Sequence, residues 1–350
     1  MPPTPFRIGT RGSELALRQA RLVEHALNAR GVETKVVTFK TTGDKRLDEP
    51  LSVIGAKGLF TKELEVALAA KKVDCCVHSL KDLPTAMPEG LDLVALLPRE
   101  DPRDVLVVND AIVAESIADL PRGSRVGTSS LRRRAQLLAL RQDLDVVELR
   151  GNVPTRLRKV DEGQVHAAIL AAAGLMRLGV HQRIDAWLDA PEWLPAPGQG
   201  IIAVQARADD ARARELLAPL RDDAATIAAR AERALLACLE GGCQVPIGAL
   251  VMNESSPAAR DAAESESSAR GDASARATES RSPSHDGPLV LHALIADVRG
   301  QRVVRGSQHV DPESPEGAGQ LLAAELRARG GDEILESLRA VTRVPMPQPE

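Results

Sequence analysis

Short apolar runs and amphipathic helical periods alternate along the first two thirds of the chain. Phe6–Thr10 has the length and apolar character of a strand. Ser13 follows as a helix cap, and Leu15, Leu22, Val23, Ala26 and Leu27 recur at helical spacing behind it. Gly31 ends that helix and Val32–Phe39 forms a second strand. A polar stretch from Lys40 to Gly58 comes next. Thr61 then caps a helix running to about Lys71, with Glu63 and Glu65 in its favourable first turn. Val73–His78 and Leu91–Leu97 are further strands. The pattern restarts near Asp104, with strands at Val105–Val108, Ser124–Gly127, Val146–Leu149 and Ala167–Leu170 and helices between them. After the Pro195–Gly198 turn, Ile201–Ala206 is one more strand. Such alternation predicts α/β architecture with mainly parallel sheets and helices on both faces. Two α/β domains are expected, with breaks near 98–104 and 195–200.

The last third changes pattern. A long helix spans Asp223–Glu240, Val290–Asp297 and Arg302–Val310 form a hairpin about Arg299-Gly300, and a final helix runs from Gly317 to Arg329. This predicts an α+β module. Inside it, residues 253–287 are rich in Ser, Ala, Arg, Asp and Glu and almost lack large apolar residues, the composition of a disordered insertion.

Composition narrows the classes of function. The 350 residues carry 45 Lys/Arg against 49 Asp/Glu, a formal charge of −4, with three Phe, two Trp and no Tyr. A general nucleic-acid or membrane-surface binder is more often strongly basic, and stacking on single strands needs repeated rings. No run of about 20 apolar residues predicts a transmembrane helix. The first 30 residues lack the pattern of a secretion signal. Cys75 and Cys76 adjoin, no CxxC occurs, and no structural metal site is expected. Cysteine usage predicts a cytoplasmic protein with reduced thiols. Cys75, Cys76 and Cys238 read as core, and His78 as a packed strand residue.

The candidate chemistry lies where strands turn into helices. Three such turns, Gly9–Ser13, Gly127–Arg134 and Leu149–Arg156, each set hydroxyls, backbone N–H groups and guanidinium groups at a helix N-terminus. Helix starts attract anions, and Arg grips carboxylate or phosphate with two bonds. Capping with solvated arginines accounts for any one turn alone; their repetition points to an anionic ligand. From Pro121 to Val160 there are ten Lys/Arg against three acids, so cations are concentrated within an acidic chain. Neither GxGxxG after a strand nor a Walker motif is present. Lys81 and Asp82 lie in the segment Val77–Pro84 at the end of the strand Val73–His78, and the carboxylate either stabilises a developing cation or exchanges protons, or is half of a surface ion pair. Cys243 sits behind Gly241-Gly242, as a nucleophile, a covalent anchor or a structural thiol. Lys57-Gly58-Leu59-Phe60 closes the long polar stretch and suits a lid.

Taken together, IGTRGSELAL (8–17), KGLFTKELEVAL (57–68), VHSLKDLP (77–84), REDPRDVLV (99–107), VGTSSLRRRAQL (126–137), LRGNVPTRL (149–157), LAAAGLMRLG (170–179), PAPGQGIIAVQ (195–205) and LEGGCQVPIG (239–248) resemble the porphobilinogen deaminase, or hydroxymethylbilane synthase, family. The strings keep the family's order over most of residues 6–250. The resemblance implies two doubly wound, periplasmic-binding-protein-like α/β domains and a smaller α+β C-terminal domain. Their expected extents are 1–99 with 200–218, 100–199, and 219–350. It implies condensation of four porphobilinogen molecules head to tail with release of ammonia, then hydrolytic release of hydroxymethylbilane. It further implies a dipyrromethane cofactor, built by the protein from substrate-derived units and joined by a thioether to Cys243. Asp82 matches the catalytic carboxylate. Lys81, Asp82, Thr128, Ser129, Ser130, Arg132, Arg133 and Gly151 fall in cofactor-binding strings. Arg11, Ser13, Arg150, Arg156, Arg177 and Gln199 fall in substrate-binding ones, and Lys57 and Phe60 in the lid. A cytoplasmic monomer without nucleic-acid or membrane partners is expected. The insertion at 253–287 departs from the family's compact third domain.

Two other readings compete. Two α/β lobes with anion-binding turns also describe solute-binding proteins, although Cys243 and the third domain have no use there. Arg132, Arg133 and Arg134 could serve a nucleic acid, against the poverty of aromatics and the net charge.

Overall fold

The computed structural model describes residues 4–41, 61–239, 245–254 and 287–343. The chain begins with β1 (Phe6–Arg11), α1 (Glu14–Asn28), β2 (Thr34–Phe39), α2 (Lys62–Ala69), β3 (Cys75–Ser79) and β4 (Leu91–Leu96). It then crosses into β5 (Asp104–Val108), β6 (Arg125–Gly127), α3 (Leu131–Leu140), β7 (Asp145–Val147), α4 (Val153–Asp161), β8 (Ala167–Ala171), α5 (Ala172–Leu178) and β9 (Ala186–Leu188). It returns as β10 (Ile202–Arg207) and α6 (Ala211–Leu217).

Local causes are visible in α1. Ser13 Oγ accepts from the Ala16 N–H at 3.4 Å, and Glu14 sits in the positive first turn. Ala16, Gln19, Ala20, Val23 and Leu27 form the buried stripe, three or four residues apart. Leu22, expected on that stripe, is instead 49% exposed, because it lies a quarter turn round from Val23. Thr61 precedes α2 but makes no capping hydrogen bond.

Each α/β domain holds one five-stranded sheet, in the orders β2-β1-β3-β10-β4 and β7-β6-β8-β5-β9. The expectation of mainly parallel sheets needs correcting. β1 pairs parallel with β2 and β3, and β6 with β7 and β8, but β10 and β5 run antiparallel to both their neighbours. These two are the strands by which the chain arrives from the other sheet. Crossing directly, without a helix, delivers them in the opposite direction. The crossing segments lie side by side, with Leu97 N–H to Ile202 O at 3.0 Å and Glu100 N–H to Gly200 O at 3.2 Å.

The third domain has α7 (Asp223–Cys238), β11 (Ile247–Asn253), β12 (Leu289–Ala296), β13 (Val303–His309), α8 (Pro315–Leu326) and α9 (Asp332–Arg343). Its sheet is antiparallel in the order β11-β12-β13. The predicted hairpin is β12–β13; β11 and α9 were not anticipated. Ala231, Leu235, Leu291, Ala293, Ile295, Leu322 and Leu326 form its core between helices and sheet. Lys57, Phe60, Cys243 and the greater part of the 253–287 insertion lie outside the described residues. Among the described residues no helix is long and apolar enough to cross a membrane.

Candidate active site

A buried carboxylate organises the ground between the two sheets. Asp104 opens β5 and is wholly buried. Its Oδ2 accepts from Arg132 Nη1 at 2.6 Å and from Trp193 Nε1 at 2.8 Å; its Oδ1 accepts from Arg133 Nη2 at 2.7 Å and from Gln199 Nε2 at 2.8 Å. Burial alone would raise its pKa, but the charges and hydrogen bonds of Arg132 and Arg133 outweigh it and hold the carboxyl well below the usual range. One negative charge faces two guanidinium groups, so the cluster stays cationic. Arg132 also donates to Leu194 O at 2.7 Å and Arg133 to Ile169 O at 2.9 Å. Arg133 Nε is buried without a hydrogen-bond partner among the described residues.

Gln199 carries this cluster across to the first sheet. Its amide also donates to Pro102 O at 2.7 Å, while its Oε1 accepts from Lys81 Nζ at 3.2 Å. Both amide hydrogens are therefore engaged inside the protein, and the side chain acts as a brace between the domains. Burial lowers the Lys81 ammonium to about 8, the Arg133 charge adds to the effect, and Asp82 and Asp104 oppose it. Lys81 and Asp82 lie in the single 3-10 turn Leu80–Asp82 that leaves β3, and Asp82 is exposed at its end. Burial and the charges of Arg133 and Arg150 lower Arg156 to about 10, with Asp82 acting in the other sense. Asp82, Lys81, Arg133, Arg150 and Arg156 thus share one electrostatic neighbourhood.

The three strand-to-helix turns hold these groups by capping. Ser130 Oγ accepts from Arg133 N–H at 3.4 Å and starts α3; Asn152 Oδ1 accepts from Thr155 N–H at 2.9 Å and starts α4. Thr128 Oγ1 accepts from Ser130 N–H at 3.2 Å, and Ser129 Oγ donates to Leu149 O at 2.8 Å, joining the second turn to the third. Gly151 has φ +115°, where a side chain is strained, and its carbonyl accepts from Arg156 Nε at 2.8 Å. The first turn approaches from the other domain: Leu15 of α1 and Val153 of α4 both flank Gly174 of α5. Ser13 is committed to its cap, and Arg11 ends β1 close enough to depress His78. Arg177 Nη2 donates to Gly200 O at 2.5 Å in the crossing segment.

His78 is buried, and burial first of all lowers it to about 4, so it stays neutral near pH 7. Cys75 and Cys76 are fully buried, with pKa values raised by that burial. Both readings as packed strand residues agree with this.

Sequence reasoning missed Asp104 and Glu232. Each was visible as an acid at a core position: the first opens the otherwise apolar strand Asp104–Val108, and the second shares the face of Ala225, Ala228 and Leu235 in α7. Glu232 is fully buried and accepts from Arg99 Nη1 at 2.6 Å, Arg99 Nη2 at 3.2 Å, Gly198 N–H at 2.6 Å and Val251 N–H at 2.9 Å. It joins α7, β11 and both crossing segments.

A family model described as "Porphobilinogen deaminase, dipyromethane cofactor binding domain" matches residues 6–215, and one described as "Porphobilinogen deaminase, C-terminal domain" matches 226–255. The chain belongs to the porphobilinogen deaminase family. A porphobilinogen deaminase of Syntrophobacter fumaroxidans is 45% identical over 335 residues, 95% of this chain and 97% of the relative. Another, of Roseiflexus sp., is 47% identical over 330 residues, 94% and 97% of the two chains. Among solved structures, a periplasmic substrate-binding protein from Coxiella burnetii aligns with a TM-score of 0.38 and 18% identity, covering 64% of this chain and 95% of that one. The family assignment rests on the sequence matches.

The residues suit the cofactor named in the family description. Each pyrrole of a dipyrromethane bears an acetate and a propionate. The buried, unpartnered Arg133 Nε, the net positive Asp104 cluster and the capped starts of α3 and α4 are a donor set for several carboxylates.

Proposed function

We propose that the protein is a hydroxymethylbilane synthase. It condenses four porphobilinogen molecules head to tail on a covalent dipyrromethane cofactor, releases ammonia at each addition, and frees the linear tetrapyrrole by hydrolysis. The observation that carries this reading is the exposed Asp82 carboxylate set among Lys81, Arg133, Arg150 and Arg156. The cations receive a ligand that gains two carboxylates with every pyrrole. Asp82 is the anion beside which a substrate that has lost ammonia can carry positive charge, and it can also take up and return a pyrrole N–H proton. The cofactor supplies the pyrrole carbon at which the chain grows.

In this reading Cys243 carries the thioether. Lys81, Thr128, Ser129, Ser130, Arg132, Arg133 and Gly151 hold the cofactor's side of the ligand; Arg11, Ser13, Arg150, Arg156, Arg177 and Gln199 hold the incoming pyrrole's side, and Lys57 and Phe60 cover it. Gln199 contributes chiefly by bracing Lys81, since its amide donors already face Pro102 O and Asp104; Arg132 engages Nη1 with Asp104 and Leu194 O. The extents 1–99 with 200–218, 100–199 and 219–350 are the units that move. The enzyme acts as a cytoplasmic monomer without nucleic-acid partners.

The test is intact mass of the purified protein, before and after porphobilinogen. A stable excess of two pyrrole units with an Ehrlich colour, followed by stepwise further additions, is expected. A protein at its polypeptide mass that neither colours nor gains mass sinks the reading. In the Cys243→Ser variant the excess mass is expected to vanish.

A further inference from the structure

Asp82 sits on the exit of a strand, in one 3-10 turn, with no helix or ladder to stiffen it. Apolar packing fixes the turn from one side. Leu80 and Leu83 are buried with Ile201 and Ala203 and with Ala225 and Ala229 of α7. Leu80 N–H donates to Ile201 O at 3.0 Å, and Leu83 N–H closes the turn on Leu80 O at 3.1 Å. The next three carbonyls bend toward α7, where a single side chain gathers them. Arg233 Nη1 donates to Leu83 O at 3.4 Å, and Nη2 to Pro84 O at 2.8 Å and Thr85 O at 3.1 Å.

This guanidinium is half-buried and its pKa is lowered by burial, with no carboxylate acting to raise it. A cation withdrawn from water to face three successive carbonyls shapes the backbone it binds. The planar fork suits that task; an ammonium group on a flexible stem reproduces it only in part. Arg233 also follows Glu232, the residue joining α7 to Arg99 and Gly198, so the helix that clamps the Asp82 turn is itself fixed to both crossing segments.

We propose that Arg233 is a positioning residue for Asp82: by gathering the Leu83, Pro84 and Thr85 carbonyls it sets where the carboxylate stands against the substrate. This rests on the function proposed above. The Arg233 Nη1 and Nη2 donors are engaged by these three carbonyls, and its effect on Asp82 is transmitted through the turn.

The test compares full-length wild type, R233Q, R233K and R230Q, each checked for cofactor by intact mass and for thermal stability. Arg230 lies on the same helix in an exposed ion pair with Glu316, and its variant is expected to match wild type. R233Q is expected to keep the cofactor mass and a KM for porphobilinogen within about twofold, while kcat falls about tenfold or more, since small displacements of a reacting group are costly. R233K is expected to lie between the two. Should R233Q fail to fold, R233K alone decides, with kcat reduced at wild-type KM as the expected result. An unimpaired kcat in the folded variants overturns the proposal, as does a loss confined to KM or paralleling lost stability without recovery in R233K. A wild type that does not consume porphobilinogen overturns the functional reading, and the proposal with it.

Discussion

At the scale of single residues, two titratable groups set the character of the site. Asp104 is buried between two buried guanidinium groups, and removing its charge leaves both uncompensated. Breaking such a buried pair costs about 3–5 kcal/mol. Asp104→Asn is therefore expected to lower the thermal midpoint strongly, as measured by calorimetry; a shift no larger than that of a surface Asp→Asn would contradict the assigned frame. Lys81 titrates in a range open to experiment. Its folded value of about 8 lies below its ordinary 10.5, so between these values the unfolded chain binds more protons and the Lys81 contribution to stability rises with pH. Ligand binding runs the opposite way, because the cation that meets a carboxylate is lost above about pH 8. The thermal stabilisation that bound cofactor gives over cofactor-free protein is expected to shrink between about pH 7 and 9.5 in wild type, a limb set by Lys81. That limb should flatten in K81R, whose guanidinium keeps its charge. A limb of equal steepness in both proteins would assign it to another group.

At the scale of elements, most caps were legible in the sequence, although Thr61, read as one, makes no capping hydrogen bond. Ser13, Ser130 and Asn152 stand where hydroxyl or amide residues precede helical periods, and each caps its helix. Ser130→Ala is expected to cost about 1 kcal/mol by chemical denaturation. It should also weaken binding of the carboxylate ligand, because α3 opens with Arg132 and Arg133; a change in stability without one in affinity would detach the cap from the site. Although β9 and β11 were not read from short apolar runs, most strand positions were equally legible from them. Strand direction was not: nothing in Asp104–Val108 or Ile202–Arg207 distinguishes a strand entering its sheet from above or below, and only the crossing of the chain decides it. The cationic turns could be read as anion sites, but which cations face inward could not. Arg132 Nη1 and the Gln199 amide are internally engaged because Asp104 is near, and for Gln199 that proximity joins residues 95 positions apart. Strand β11 escaped notice because its partner β12 lies beyond the polar insertion, so no hairpin period marks the pair.

At the scale of the whole molecule, the question is what holds the three sheets and their helices in register. The third domain leans on the second through a close backbone contact: a Cβ on Gly300, at the β12–β13 turn, would stand 2.3 Å from Ala139 N of α3. Arg305 adds bonds to Pro191 O at 2.9 Å and Glu192 O at 2.8 Å. Toward the crossing segments, the same domain is held by Glu232, which answers one cation and two backbone N–H groups at once. An ordinary buried ion pair can often be replaced by two apolar side chains at little cost. Glu232 cannot, because its removal also strands the Gly198 and Val251 amides, at about 1–3 kcal/mol each. E232Q is thus expected to destabilise by about 3–5 kcal/mol through the unpaired Arg99 charge. The double variant R99M/E232M is expected to remain well below wild type, where a simple pair would recover. Equilibrium denaturation of wild type, R99M, E232M and R99M/E232M supplies the measurement. Full recovery in the double variant would reduce Glu232 to a counter-ion for Arg99. Persistent loss makes it the point at which α7, β11 and the two crossing segments are kept together.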